Sequence, residues 1–406
     1  MPIPIQGLLF SLLAFIVSMT IYPATRRFAL RHGILDNPDA RKLQRVPVPV
    51  LGGAVVFVGY YFSVMIFLAL NGEPRMFSPL LCMAIMTGIG IWDDLRGLPA
   101  AFRFVVEMVV VWILMGLGGS YIDDFHGLWG LGELSKWVSA PLSIFAGVGI
   151  INAINLIDGV DGYCSGFGIL GSLLFSIPLA VVGAWVPACT LWLLAGALLP
   201  FWLHNVFGKR SKMFLGDGGS LMLGTAFVAM VFCVVCKESP CTPLADEKGM
   251  GLIPFTLAVL AIPVFDTVRV MTMRMVRGRS PFDPDKTHFH HLFIEMGFSH
   301  VSTSLTIHLL NLTIVALWWI SWKLGASVDL QLYIVVALGL LVTFAFYKFV
   351  KIHQARQTRY YAWLCHFGER SHRFLLDEWK AVRRFVDKPN RRVLRLQASI
   401  RRLFKK

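Results

Sequence analysis

Charge is scarce in this chain. Asp, Glu, Lys and Arg make up 15% of its 406 residues against 56% hydrophobic types, with a mean hydropathy of +0.65, whereas a soluble domain carries about a quarter charged residues. An ordinary soluble globule is thereby excluded. Acid is scarcer than base: 24 Asp and Glu stand against 38 Lys and Arg, a formal net charge of +14. The seven cysteines have no zinc-type spacing, and Cys233 and Cys236 lie inside one apolar run, so they read as neither a disulfide framework nor a metal cluster. A Walker loop is missing, because no Gly-Lys-Ser/Thr follows the glycines around Asp217, and so is HExxH. The first apolar run, roughly 3–25, lacks a basic n-region and an evident small-residue cleavage site, with Arg26 and Arg27 following it. It reads as a first transmembrane helix with its N-terminus outside, not as a signal peptide. No internal repeat is evident.

What is present is a series of apolar runs near the length that spans a bilayer. Eleven are expected, at roughly 3–25, 51–70, 78–92, 101–118, 135–153, 166–184, 187–204, 219–236, 250–268, 301–322 and 330–350. Helices are the default, since an open sheet in lipid leaves backbone groups unpaired. With the N-terminus outside, only Arg75, Lys136, Lys237, Lys248 and Lys323 of the 38 Lys and Arg fall on the outer side, which places the other connections in the cytoplasm. The expected organisation is an all-α polytopic membrane domain over 1–350 with a periplasmic N-terminus, followed by a basic cytoplasmic tail over 351–406. In that tail Val393, Leu396, Ile400 and Leu403 recur at helical spacing among arginines, as in a helix lying on anionic lipid headgroups.

Five polar clusters fall on the inner side. LDNPDARKLQRVPVPVLGG, Leu35 to Gly53, brings Asp36, Arg41 and Lys42 before a Pro-rich turn. GIWDDLRGL ends the third run with Asp93 and Asp94, and adjacent carboxylates repel unless a cation or proton intervenes, which suggests a divalent metal or a general base. A second pair, Asp123 and Asp124, falls on the outer side and serves as an internal control. NAINLIDGVDG places Asn152, Asn155 and Asp158 three apart, on one face if the helix continues, with Asp161 past a glycine. Turn and helix-end preferences explain one or two of these four residues, not all of them.

KMFLGDGGS sets Lys212 and a glycine-flanked Asp217 at the start of the eighth run, where a backbone can approach a ligand and a helix N-terminus favours phosphate. RGRSPFDPDKTHFHHLF carries His288, His290 and His291, with Arg269, Arg274, Arg277, Arg279 and Lys286 nearby. Without a cysteine partner or HExxH, this basic loop reads as a cradle for an anionic, phosphorylated substrate in preference to zinc.

In this order the five clusters resemble the polyprenyl-phosphate N-acetylhexosamine-1-phosphate transferase family (glycosyltransferase family 4), on its WecA/TagO-like branch, over roughly residues 20–300. The family's Asp-Asp pair is similar to Asp93 and Asp94, and its NAxNLxDGxDG signature is met at every position from Asn152 to Gly162. Its GDxGS aspartate is similar to Asp217, its lysine five residues earlier to Lys212, and its HxHH motif to His288, His290 and His291. Two positions depart from the pattern. The lysine expected ten residues after Asp93 is Arg103, whose planar fork does not reproduce an ammonium. The RKxH of many members reads Arg41, Lys42, Leu43, Gln44, without a titratable fourth residue.

The resemblance implies transfer of a sugar-1-phosphate, GlcNAc-1-phosphate as the first choice, from a UDP-N-acetylhexosamine to undecaprenyl phosphate, releasing UMP and initiating a lipid-linked cell-envelope glycan. It implies Mg2+ as cofactor, with Mn2+ the alternative, held by Asn155 and Asp217. Asp93 or Asp94 would orient or deprotonate the lipid phosphate, with Asp158 and Asp161 shaping the nucleotide and metal geometry. Asp36, Arg41, Lys42, Arg103, Asn152, Lys212, Arg269, His288, His290 and His291 would bind substrate. The expected setting is the bacterial inner membrane with the site facing the cytoplasm; the partners are the two substrates and membrane lipid, not nucleic acid, and a homodimer is admitted. The competing class is a transporter, which would place its carboxylates near the bilayer midplane, often in repeated halves.

Overall fold

The structure is a computed structural model that describes residues 1–36, 46–72, 76–280 and 287–387. Helices dominate. The first half comprises α1 (Ile3–His32), a short hairpin of β1 (Leu35–Asp36) and β2 (Val48–Pro49), α2 (Gly52–Asn71), α3 (Phe77–Arg96), α4 (Ala100–Gly118), α5 (Lys136–Leu156), α6 (Tyr163–Val181) and α7 (Trp185–Phe207). Then follow α8 (Asp217–Val235), the short α9 (Thr242–Asp246), α10 (Leu252–Val259), α11 (Ala261–Val276), the short α12 (Phe289–Glu295), α13 (His300–Lys323) and α14 (Val328–Leu340). A π-helical stretch, Leu341–Phe346, leads into α15 (Tyr347–Ala355), and α16 (Arg359–Glu378) and α17 (Lys380–Val386) end the described chain.

Among the described residues, nine helical segments are long and apolar enough to cross a membrane, and the bent pair α10–α11 makes a tenth. The protein is a multi-pass membrane protein. The remaining expected span is α3, which is twenty residues long but carries Asp93, Asp94 and Arg96 in its last turn. Each expected run thus meets a helical segment, with two differences. First, α1 continues through Arg26 and Arg27 to His32, and Arg26 is buried because its guanidinium donates to backbone carbonyls before α8. Second, the run expected to be continuous at 250–268 is broken at Leu260 by a 76° bend. Asn311 of α13 occupies the break: its Oδ1 accepts from the Ile262 amide at 3.0 Å and its Nδ2 donates to the Val259 carbonyl at 2.9 Å. Pro263, which has no amide proton to lose, follows directly. A backbone break inside lipid is tolerable when another side chain satisfies the freed groups in this way.

The tail boundary expected at 350 falls within α15; the chain turns only at Gln357, with φ +47°. The amphipathic stretch around Val393 to Leu403 lies outside the described residues, as do Arg41, Lys42 and Lys286.

At the centre is α8, apolar on every face and almost entirely buried, as such a helix must be. It packs on α3, α5 and α2. Two glycines allow its first turn to be approached closely: a Cβ on Gly53 would stand 2.2 Å from the Gly219 nitrogen, and one on Gly90 would stand 2.4 Å from the Asp217 carbonyl. The start of α2 and the end of α3 are therefore pressed against the residue expected to bind metal. Backbone bonds stitch the same region, from Gly52 N to Phe214 O at 2.9 Å, Gly53 N to Leu215 O at 2.8 Å and Phe214 N to Pro49 O at 2.8 Å. Gly90→Ala is expected to overpack this junction and cost about 1–3 kcal/mol, read as an earlier thermal unfolding midpoint in detergent. An unchanged midpoint would mean that α3 and α8 can separate freely.

Candidate active site

The clusters converge at one end of the bundle. The end of α3, the turn between α5 and α6, and the loop into α8 meet around a cavity of about 740 Å³, lined among others by Asp36, Asp94, Asn155, Asp158, Asp161, Lys212, Asp217, His291 and His300. The β1–β2 hairpin brings Asp36 to this wall by pairing it with Val48.

The first turn of α8 is held by the acids it faces. Asp94 Oδ1 accepts from the Asp217 amide at 3.1 Å and Asp94 Oδ2 from the Gly218 amide at 3.3 Å, so a carboxylate on α3 satisfies two of the orphan donors at the start of α8. Asn155, in the last turn of α5, donates to Asp217 Oδ1 at 2.8 Å and to Ser220 Oγ at 2.9 Å. Asp93 turns away from the α8 amides, toward Arg103 and the Asp217 side chain. It accepts from the Leu98 amide at 2.6 Å and from Arg103 at 3.1 Å, and Arg103 also stands 3.8 Å from Asp217 Oδ2.

Behind them, Asn152 donates to the buried Glu107, which lies one helical turn after Arg103 at 3.6 Å. Asn152 and Arg103 are thus tied into a polar array behind the cavity and are not among its lining residues. Glu107 was missed in the sequence, although an acid inside an apolar run is itself a signal.

Helix α5 ends at Leu156, so Asp158 and Asp161 sit in the following turn and not on a continued helical face. Their environments differ. Burial drives the Asp158 carboxyl well above its usual range, and the charges of Asp217, Asp94 and Asp161 act in the same sense. For Asp161 burial also acts upward, yet it is outweighed by His300, whose Nδ1 lies 2.9 Å from Oδ2, and by the ion pair with Lys212, which together hold the carboxyl below the ordinary range. Asp161 is therefore ionised and paired, while Asp158 takes up a proton or gains a cation more readily than a free acid would. His300 carries no motif that marks it in the sequence. The turn is fastened by Asn205, which accepts from the Gly162 amide at 2.6 Å and donates to the Met213 carbonyl at 3.0 Å.

The histidine motif divides in space. His291 lines the cavity. His288 is buried with Nδ1 3.2 Å from Asp266, which also accepts from Arg269 at 2.6 Å and from the Phe289 amide at 3.0 Å. Arg269, 2% exposed, further donates to the Thr287 carbonyl at 2.5 Å and lies 3.8 Å over the Tyr347 ring. His290 is buried against Gly159, and burial, reinforced by His291 and His288, pushes its imidazole well below the usual value. Thus His288, His290 and Arg269 build the wall that presents His291. Asp266, the residue that organises them, was not singled out in the sequence, though Asp266 and Arg269 form an i, i+3 pair inside an apolar run.

Asp123 and Asp124 are remote from the cavity. Asp123 accepts from the Lys237 amide at 2.7 Å and Asp124 from the His126 amide at 2.6 Å, beyond the far end of α4. A helix of nineteen residues separates the two pairs by about 28 Å.

Comparison with known proteins agrees with this geometry. A family model described as glycosyl transferase family 4 matches residues 76–235, a segment that holds Asp93, Asp94, the Asn152–Gly162 signature, Lys212 and Asp217. The undecaprenyl-phosphate alpha-N-acetylglucosaminyl 1-phosphate transferase of Yersinia pestis is 30% identical over 297 residues, 70% of this chain and 76% of that protein. A decaprenyl-phosphate N-acetylglucosaminephosphotransferase of Mycobacterium tuberculosis is 31% identical over 327 residues, 76% of this chain and 80% of its own length. A probable undecaprenyl-phosphate N-acetylglucosaminyl 1-phosphate transferase of Bacillus subtilis is 30% identical over 305 residues, 73% of this chain and 81% of its own. With that identity sustained over more than two thirds of both chains, and with the signature residues gathered around one cavity, this chain belongs to glycosyl transferase family 4, among the polyprenyl-phosphate N-acetylhexosamine-1-phosphate transferases.

Proposed function

We propose that the protein transfers GlcNAc-1-phosphate from UDP-GlcNAc to undecaprenyl phosphate, releasing UMP, with the cavity opening to the cytoplasmic face of the inner membrane. The observation that carries this reading is the one cavity in which five acids, two amides, a lysine and two histidines from distant parts of the chain meet. A lipid phosphate must approach an anionic diphosphate, so the site has to offset charge on both and align them.

The residues fit a magnesium ion. The donors at the mouth of α8 are carboxylate and amide oxygens, and the burial of Asp158 together with the neighbouring acids disfavours its charge in a way that a divalent cation relieves. Among the described residues no three His, Cys, Asp or Glu side chains form a ready-made cage, so the proposed ion would rest on one or two protein carboxylates and its own waters. Asp217 and the Asn155 carbonyl would hold it, and bound there it supplies charge neutralisation to the diphosphate.

The protein's own groups do the rest. Asp94, which faces the cavity, would orient the lipid phosphate and accept its proton, while Asp93 keeps Arg103 beside Asp217. Lys212, His291 and His300 offer positive charge or N–H donors to phosphate and sugar, and Asp161 holds two of these three in place. Asp36, Asp158 and Asp161 would shape the nucleotide subsite.

The donor sugar is tested directly. Purified protein given radiolabelled UDP-GlcNAc and undecaprenyl phosphate is expected to yield labelled lipid and UMP in equal amounts. Transfer only from UDP-GalNAc or UDP-MurNAc-pentapeptide would reject the sugar and leave the reaction class standing, since one hydrogen-bonded hydroxyl can discriminate strongly between such donors.

A further inference from the structure

The loop that delivers Lys212 is clamped by the far C-terminal part of the chain. Gly208–Met213 leads from α7 toward α8, and it concentrates Lys209, Arg210 and Lys212 in four positions. Its backbone is taken from two sides. From α1, Tyr22 donates its hydroxyl to the Ser211 carbonyl at 2.9 Å, and Arg26 donates to the carbonyls of Arg210 and Lys212. From the end of α17, Asp387 takes the amides: its Oδ2 accepts from Lys209 N at 2.9 Å, and its Oδ1 from Arg210 N at 3.0 Å, Ser211 N at 2.9 Å and Ser211 Oγ at 3.0 Å.

Three consecutive amides on one carboxylate make an anion nest. Burial alone would raise the Asp387 carboxyl, yet these amides hold it below its usual range, so it stays charged. The docking is reinforced by Trp379, stacked on Phe207 at 5.0 Å, by Arg383, which donates to the Phe207 carbonyl at 3.3 Å, and by the burial of Val386. With both faces of the loop's backbone engaged, the Lys212 side chain is left to reach Asp161 in the cavity.

We propose that Asp387 is a positioning residue for Lys212, so that the C-terminal helices form a working part of the active site through the Gly208–Met213 loop. The inference rests on the transferase reading given above. Asp387 touches no substrate; it sets the loop, and the loop aims the lysine.

The test uses the full-length chain in native membranes, with Asp387→Ala and Asp387→Asn made both alone and together with Lys212→Gln. Turnover by Asp387→Ala is expected to fall about 10- to 100-fold, as misplacement of a catalytic group by roughly an ångström does, with Asp387→Asn, which keeps one acceptor, losing less. In the Lys212→Gln background the same changes should cost less than about threefold, because the residue through which Asp387 acts has already been removed. Trypsin cleavage at Lys209 and Arg210 should also accelerate in both Asp387 variants.

Equal losses in the two backgrounds would overturn the proposal, as would unchanged turnover in a wild-type-active preparation. Loss of both variants from the membrane would also overturn it, by making Asp387 a folding residue. A wild-type protein with no transferase activity would instead reject the function itself.

Discussion

Asp217→Asn is expected to abolish turnover to within the limit of detection while the protein accumulates normally in the membrane. The substitution is nearly isosteric and keeps an oxygen that can accept from Asn155, and the backbone bonds from Asp217 and Gly218 to Asp94 do not involve the side chain. What is lost is the negative charge at the mouth of α8, where Arg103 stands 3.8 Å away and Asn155 2.8 Å away. If Asp217 carries a magnesium ion, a neutral amide cannot replace it, since this hard cation depends on charged oxygen ligands. Exhaustive EDTA treatment of the wild type should reproduce the loss and added magnesium should reverse it, whereas the variant stays inactive on refilling. Full wild-type turnover after EDTA treatment would remove the metal from the scheme.

Asp94→Asn is expected to lower kcat by on the order of 10²–10⁴-fold, the usual worth of a positioned acid or base. Asp93→Asn should cost less but still markedly, because it frees Arg103 from its 3.1 Å contact. Asp123 and Asp124 provide the comparison within one chain. Asp123→Asn and Asp124→Asn keep an oxygen for the Lys237 and His126 amides they receive, and they stand beyond the opposite end of α4. Their kcat should remain close to wild type. Comparable losses at both pairs, measured as released UMP with protein levels matched, would show that the acids act on stability and not on the chemistry.

The transporter alternative predicts carboxylates midway along the spans. Instead Asp94 sits in the last turn of α3, Asn155 in the last turn of α5 and Asp217 in the first turn of α8, so the polar site occupies one end of the bundle. Such an arrangement suits an enzyme that meets a water-soluble nucleotide and a lipid headgroup at the membrane surface.

Local pattern was enough to identify the membrane-spanning helices and the clusters between them. Apolar runs of the right length must become helices in lipid because each such segment can satisfy its own backbone, and this logic located α1 through α8 to within a few residues except at the end of α1. It failed at Leu260, where the break depends on Asn311, a residue about fifty positions further along that no local window contains. Motif order likewise grouped Asp93, Asp94, Asn152, Asn155, Asp158, Asp161, Lys212, Asp217 and the histidine loop, of which Asp94, Asn155, Asp158, Asp161, Lys212, Asp217 and His291 line one cavity.

Membrane class, family resemblance and the chemical types of the candidate site are thus legible in the residue order. Which member of each motif faces the cavity depends on how the helices pack. Successive side chains on a helix point about 100° apart, so the adjacent Asp93 and Asp94 must divide their roles: Asp94 looks into the cavity and Asp93 toward Arg103. Asn152 and Asn155 share a face of α5 but stand one turn apart along it, so Asn155 reaches Asp217 while Asn152 reaches Glu107. In the histidine motif His291 lines the cavity while His288 turns to Asp266. Of the partners that settle these choices, Glu107 and Asp266 show only as acids inside apolar runs, and His300 and Asp387 carry no signal of their own. Their significance comes from contacts made across the chain, which the packing of helices creates and no local pattern contains.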